Sequence, residues 1–172
     1  MGRRPGGTVS ARMSGLPTLA TAATALGCGL VAGVFFAFST FVMDALARLP
    51  AAQGIEAMQS INRTAVTPLF MTALMGTAAA CLALAVWAAQ AGDERGRIWV
   101  LAGAGAYLLG TLLPTIARNV PLNDALARVN PSDPEAADRW ARFVADWGAR
   151  NHVRGAAALI AAAMLTVALA TR

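Results

Sequence analysis

All 23 charged side chains of this chain fall outside four long stretches: Met13 to Met43, Thr64 to Gly92, Ile98 to Ala117 and Gly155 to Thr171. A helix rises 1.5 Å per residue, so about 20 residues cross a hydrocarbon slab of about 30 Å. Charge-free runs of 31, 29, 20 and 17 residues meet that demand four times. A charge at the bilayer centre costs about 3 kcal/mol or more, and lipid supplies no partner for a backbone amide. The predicted fold is therefore all-α, a four-helix transmembrane bundle. Its spans are expected at about residues 18–42, 67–89, 99–117 and 153–170, within a membrane domain of residues 16–172 behind a flexible basic arm over residues 1–15.

Composition excludes the soluble alternative. Mean hydropathy is +0.55, and 57% of residues are hydrophobic against 13% charged. All fourteen basic residues are arginine, and they are interleaved with nine acids beside the spans, a pattern suited to anionic head groups rather than nucleic acid. The first apolar run exceeds the roughly 7–15 residues of a signal-peptide core, so it reads as an uncleaved span despite the Ala45-Leu46-Ala47 triplet. Cys28 and Cys81, mid-span, read as packing residues. Gly29-xxx-Gly33 offers a flat strip to a neighbouring helix and leaves room for a homo-oligomer, and Ala102, Ala106 and Gly110 suggest a close-packed seam.

With an even number of spans, the first and third connections share one membrane face and the termini share the other. The termini are assigned to the cytoplasmic side of a bacterial plasma membrane. Thr67 and Pro68 mark the start of span two. Pro114 should bend span three and free the Gly110 carbonyl, and Arg118, Asn119 and Pro121 suit a helix end. In the first connection, a helix from Ile55 to Arg63 would set Ile55, Met58 and Ile61 against Glu56, Gln59, Ser60 and Arg63. The third connection should carry an additional amphipathic helix, opened by a capping box of Ser132 and Glu135. Its Trp140, Phe143, Val144 and Trp147 recur at i, i+3, i+4 and i+7, opposite Asp138, Arg142 and Asp146.

Three polar segments abut the membrane on that face: Met58-Gln-Ser-Ile-Asn-Arg63, Arg118-Asn-Val-Pro-Leu-Asn-Asp124 and Asn151-His-Val-Arg154. Arg154 could simply reach head groups, and Trp140 and Trp147 could belong to an interfacial aromatic belt. If the aromatic helix runs into span four, however, Trp147, Asn151 and Arg154 share one strip, with His152 rotated about 100° from it. His152 is the single histidine, and no ExxH pattern occurs in any span, so neither a metal site nor a haem is expected. No phosphate loop or nucleophile elbow is present, and no acid lies in a span to drive ion coupling.

Gly33-Val-Phe-Phe-Ala-Phe-Ser39, Met58-Gln-Ser-Ile-Asn-Arg63, Asn119-Val-Pro-Leu-Asn-Asp124, Trp147 and Asn151-His-Val-Arg154 together resemble the anthrone oxygenase family of small four-span membrane proteins. The resemblance runs from about Ala25 to Ala170. It implies oxidation of an anthrone-like aromatic polyketide by O2 with no bound cofactor. Such chemistry needs a base, groups that hold an anion, and a dry aromatic pocket. On that resemblance His152 would remove the proton and Arg63 and Arg154 would stabilise the enolate. Asn62, Asn119, Asn123 and Asn151 would orient the substrate, and Trp147 would stack on its rings. The expected partners are the lipid bilayer, a small apolar aromatic and O2. The alternative reading is a non-enzymatic membrane protein: an accessory or export subunit, or a binder of quinone-like ligands.

Overall fold

A computed structural model describes residues 7–90 and 96–171. Five helices account for nearly all of them. Helix α1 spans Gly15–Ala47, with helical backbone already from Gly7, followed by α2 (Ala51–Thr64), α3 (Pro68–Gln90), α4 (Arg97–Ala127) and α5 (Ala136–Ala170). Helices α1, α3, α4 and α5 are long and apolar enough to cross a bilayer, which makes this an integral membrane protein with the expected four spans. Of the basic arm, residues 7–15 are helical, and residues 1–6 lie outside the described residues. So do residues 91–95, between spans two and three.

Three boundaries differ from expectation, each for a physical reason. Helix α4 does not end near Ala117 but continues to Ala127. Proline lacks an N–H, and its ring collides with the carbonyl one turn back. Here π-helical turns at Ala106–Leu112 and Thr115–Asn119 each end two residues before a proline, Pro114 and Pro121, and widen the helix to admit the ring. Helix α5 is the second case, because the amphipathic helix and span four form one element of 35 residues. The third is its start: Ser132 does not cap it, and the first turn has no side-chain cap. The Glu135 carboxylate instead accepts from Arg139 at 2.9 Å, an exposed ion pair. The Thr67 cap does form, accepting from the Phe70 amide at 3.2 Å.

Helix α5 occupies the centre, packing along α1 and α4. Glycines set the closest approaches. A Cβ on Gly103 would lie 3.0 Å from Leu165 Cγ, and one on Gly110 would lie 2.5 Å from Ala157 Cβ. The close approach of α4 to α5 therefore includes Gly110 of the expected seam and adds Gly103, with Ala106 between them packed against the same core. Gly29 and Gly33 set no close approach: a Cβ on either meets nothing within 4 Å. At the turn into α4, Gly96 adopts φ +83°, and a Cβ there would sit 2.9 Å from the Ala168 carbonyl oxygen.

The two long connections fold over one end of the bundle, as the parity of four spans requires. Helix α2 buries Ile55 and Met58 completely. Its Gly54 faces Trp140 of α5, with the indole 2.8 Å from where a Cβ would stand. Gln59, expected on the solvent stripe, donates instead to the Leu126 and Val129 carbonyls at 2.9 and 3.0 Å and ties α2 to the end of α4. Met43, Leu46, Leu126, Trp140, Phe143 and Trp147 complete a second apolar core there, separate from the intramembrane core around Val31, Leu84, Val100 and Leu165.

Substituting Gly110→Val should force α4 from α5 and cost about 1–3 kcal/mol by overpacking. Thermal unfolding in detergent should show a clearly lowered midpoint. Gly29→Ala, whose new methyl meets nothing, should leave the midpoint unchanged or slightly raised.

Candidate functional site

Where the two cores meet, the face of α5 changes from aromatic to polar. Trp147, Asn151 and Arg154 follow at i, i+4 and i+7, so one helix face presents all three inward. All are buried, Arg154 to 4% exposure. The Asn151 amide nitrogen donates to the Phe35 carbonyl and to Ser39 Oγ, each at 2.7 Å, while its oxygen accepts from Arg154 Nη2 at 2.8 Å. Arg154 Nη1 donates to Thr115 Oγ1 at 3.3 Å, and Thr111 Oγ1 donates to the Arg154 carbonyl at 2.9 Å. The guanidinium carbon lies 4.3 Å from the Phe35 ring centroid and 5.1 Å from that of Trp147. Three helices thus hold one arginine head group.

The π-helical turns have a local use. That of α1, Phe38–Val42, begins between Phe35 and Ser39, and that of α4 begins at Thr115. Such turns shift the residues that follow them around the helix, a common device at functional sites.

Arg154 borders a cavity of about 350 Å³ roofed by α2 and the start of α3. Phe35, Phe38, Met58, Phe70, Leu74 and Trp147 give it an apolar wall, into which Asn62, Thr115, Asn123 and Arg154 bring the polar groups. Phe38 and Trp147 are tilted against each other with ring centroids 5.5 Å apart. The Trp147 indole N–H donates to Asn123 Oδ1 at 2.9 Å, which fixes both side chains. Among the residues lining it, the buried donors Asn62 Nδ2 and Arg154 Nε remain without an acceptor. Among the described residues no acidic side chain partners Arg154, so a cation is buried beside an apolar hollow with its charge unbalanced there.

Of the residues expected at the site, Asn62, Asn123, Trp147, Asn151 and Arg154 come together, four lining the cavity and Asn151 bracing its wall. Three lie elsewhere. Arg63 is exposed, because the stripe of α2 that buries Met58 turns Arg63 outward. Asn119 is buried to 1% beside the π-helical turn of α4, with both polar side-chain atoms unpartnered, yet does not line the cavity. His152 points to the opposite side of α5, into an outer groove shared with Gly29, Gly33, Phe36, Ser39 and Thr40. The expectation that His152 would meet Arg154 in one hollow is corrected by helix geometry: two residues apart on a helix cannot face the same way.

Sequence reasoning missed Phe35, Ser39, Thr111 and Thr115, the residues that hold Arg154 and Asn151. Phe35 and Ser39 stand in the Gly33–Ser39 string, four apart as two contacts on one helix face must be. Thr111 and Thr115 repeat that spacing on α4. Among the described residues, no three His, Cys, Asp or Glu side chains gather as metal ligands would.

A protein-family model described as anthrone oxygenase matches residues 67–164, more than half of the chain. The match takes in Thr115, Asn123, Trp147, Asn151 and Arg154, and leaves Phe35, Ser39 and Asn62 outside it. No curated protein and no solved structure matches the chain.

Asn151 is the joint of this assembly, since both ends of its amide are used. Asn151→Leu should strand the Arg154 and Ser39 groups and cost about 1–3 kcal/mol. Ser39→Ala should cost about 0.5–1.5 kcal/mol. Thermal unfolding of the two variants in detergent checks the order.

Proposed function

We propose, on the premise that this chain belongs to the anthrone oxygenase family, that it oxidises a flat, anthrone-like aromatic with O2 in the cavity beside Arg154, without a bound cofactor. The observation that carries this reading is the buried guanidinium with a free Nε donor and no acidic partner. A buried cation draws an anion and makes an acidic C–H or O–H group nearby easier to ionise.

An anthrone has such a group, the methylene between its two aryl rings. Loss of one proton puts an electron pair into the ring system, most of it on the carbonyl oxygen, where Arg154 Nε and Asn62 Nδ2 can donate to it. The electron-rich anion passes an electron to O2. Recombination at the former methylene carbon gives a peroxide anion, which takes a proton back from water to become a hydroperoxide, and loss of water leaves the second carbonyl. The balance is anthrone plus O2 to anthraquinone plus water. The proton leaves to water at the membrane face, since no lining side chain is a base stronger than an amide or hydroxyl.

The remaining wall suits the substrate. Phe38 and Trp147 offer flat faces, and about 350 Å³ lies in the range of small-molecule sites. Both substrate and O2 dissolve in lipid, and Val66, exposed at the entrance to α3, borders the hollow with apolar surface.

Purified protein given emodin anthrone should consume O2 above the spontaneous rate and yield the quinone. Arg154→Gln should lower that rate by about 100-fold or more, as removal of a charged oxyanion donor does. His152→Ala should keep most of it, and a collapse in that variant would move the reaction to the outer groove. Tight binding with only spontaneous uptake would replace the oxygenase by a carrier of quinone-like compounds.

A further inference from the structure

Cys28 of α1 and Cys81 of α3 are the chain's two cysteines; both are fully buried and free, with sulfurs 4.0 Å apart. The helix crossing brings them together. Gly27 lies directly against Thr77, where a Cβ would run into the threonine hydroxyl. Cys28 is the next residue on α1, and Cys81 lies one helical turn beyond Thr77 on α3.

A single buried thiol is a small apolar packing residue. Two in contact across a helix crossing, with sulfurs 4.0 Å apart, are also the starting arrangement for a sulfur–sulfur bond of ~2.05 Å. Their position adds a consequence. Phe35 and Leu74, which line the cavity, stand seven residues from Cys28 and Cys81, two turns or about 10 Å along each helix. A bond between the thiols would fix the α1–α3 crossing beneath the cavity floor.

Both sulfurs lie in a fully buried layer of two membrane-spanning helices. An outer groove between α1 and α3, bounded by Thr24, Gly76, Thr77 and Leu84, opens beside it on the lipid-facing side. Thr24 and Thr77 each precede a cysteine by one turn.

We propose that Cys28 and Cys81 are a peroxide-oxidisable pair that closes a reversible disulfide between α1 and α3, the oxidant being a hydroperoxide dissolved in the membrane. One sulfur attacks the O–O bond and takes the terminal OH as a sulfenic acid, and the alcohol departs with the thiol proton. The second thiol displaces that OH as water, forming the S–S bond. Two thiols and one hydroperoxide become one disulfide, one alcohol and one water. The inference does not rest on the oxygenase reading.

With two cysteines in the chain, counting free thiols reads the pair directly. Protein in nanodiscs of saturated lipid is treated with cumene hydroperoxide, denatured and labelled with a maleimide polymer. Both thiols should vanish together, the intact mass should fall by two hydrogens, and dithiothreitol should restore both. In Cys28→Ser, Cys81 should be trapped as a sulfenic acid by dimedone. Two thiols still labelled in the wild type, or oxidation of each to sulfinic acid without loss of two hydrogens, would overturn the pair. Loss equally fast with hydrogen peroxide would overturn the membrane-dissolved source.

Discussion

One buried stripe on α5 holds this structure together. Ala136, Trp140, Phe143, Trp147, Asn151, Arg154, Ala158, Ala161, Leu165 and Ala168 recur three or four residues apart on a single face. The register never breaks, but the chemistry changes along it. Aromatic rings fill the space beneath α2, an amide and a guanidinium occupy the middle, and small residues let α1 and α4 close in below. Because the helix is continuous, its membrane part fixes where the polar pair stands, and its outer part fixes the roof over the cavity. A break near Gly148 would uncouple the two cores and leave Arg154 without a shaped pocket.

Burying a guanidinium is costly unless its donors are satisfied and its charge is met. Arg154 is only half provided for. Asn151 and Thr115 take two of its donors, and Phe35 and Trp147 offer ring faces that attract a cation. Such contacts orient the group without neutralising it. A fold that keeps an arginine in this state, within a wall that is otherwise almost wholly apolar, retains an unbalanced charge that a ligand can complete.

The four crossings were legible because the bilayer penalises charge steeply, so gaps between charged residues mark them without help from tertiary contacts. The stripe Trp140, Phe143, Trp147, Asn151 and Arg154 was legible too, since a single helix sets its own period. What local pattern could not reveal was which hollow each face meets. Arg63 and His152 share motifs with true cavity residues, yet one residue's rotation sends Arg63 outward from Asn62 and His152 away from Asn151. The continuation of α4 past Pro114 and Pro121 was hidden for another reason: π-helical turns carry no sequence mark beyond the prolines they accommodate. Gln59 looked solvent-facing because its acceptors, the Leu126 and Val129 carbonyls, come from a connection far along the chain.

The cavity's chemistry also limits what can bind there. A cationic ligand would meet Arg154 and be repelled. A compact anion such as a phosphate or carboxylate would give up a full hydration shell for a few donors, chiefly Arg154 and Asn62, a poor exchange inside an apolar wall. A large aromatic anion whose charge is spread over fused rings gives up far less hydration, gains the faces of Phe38 and Trp147, and needs just one oxygen near the guanidinium. On the proposed reaction, deprotonation and binding would reinforce each other, because the form that Arg154 prefers would be the form that O2 attacks.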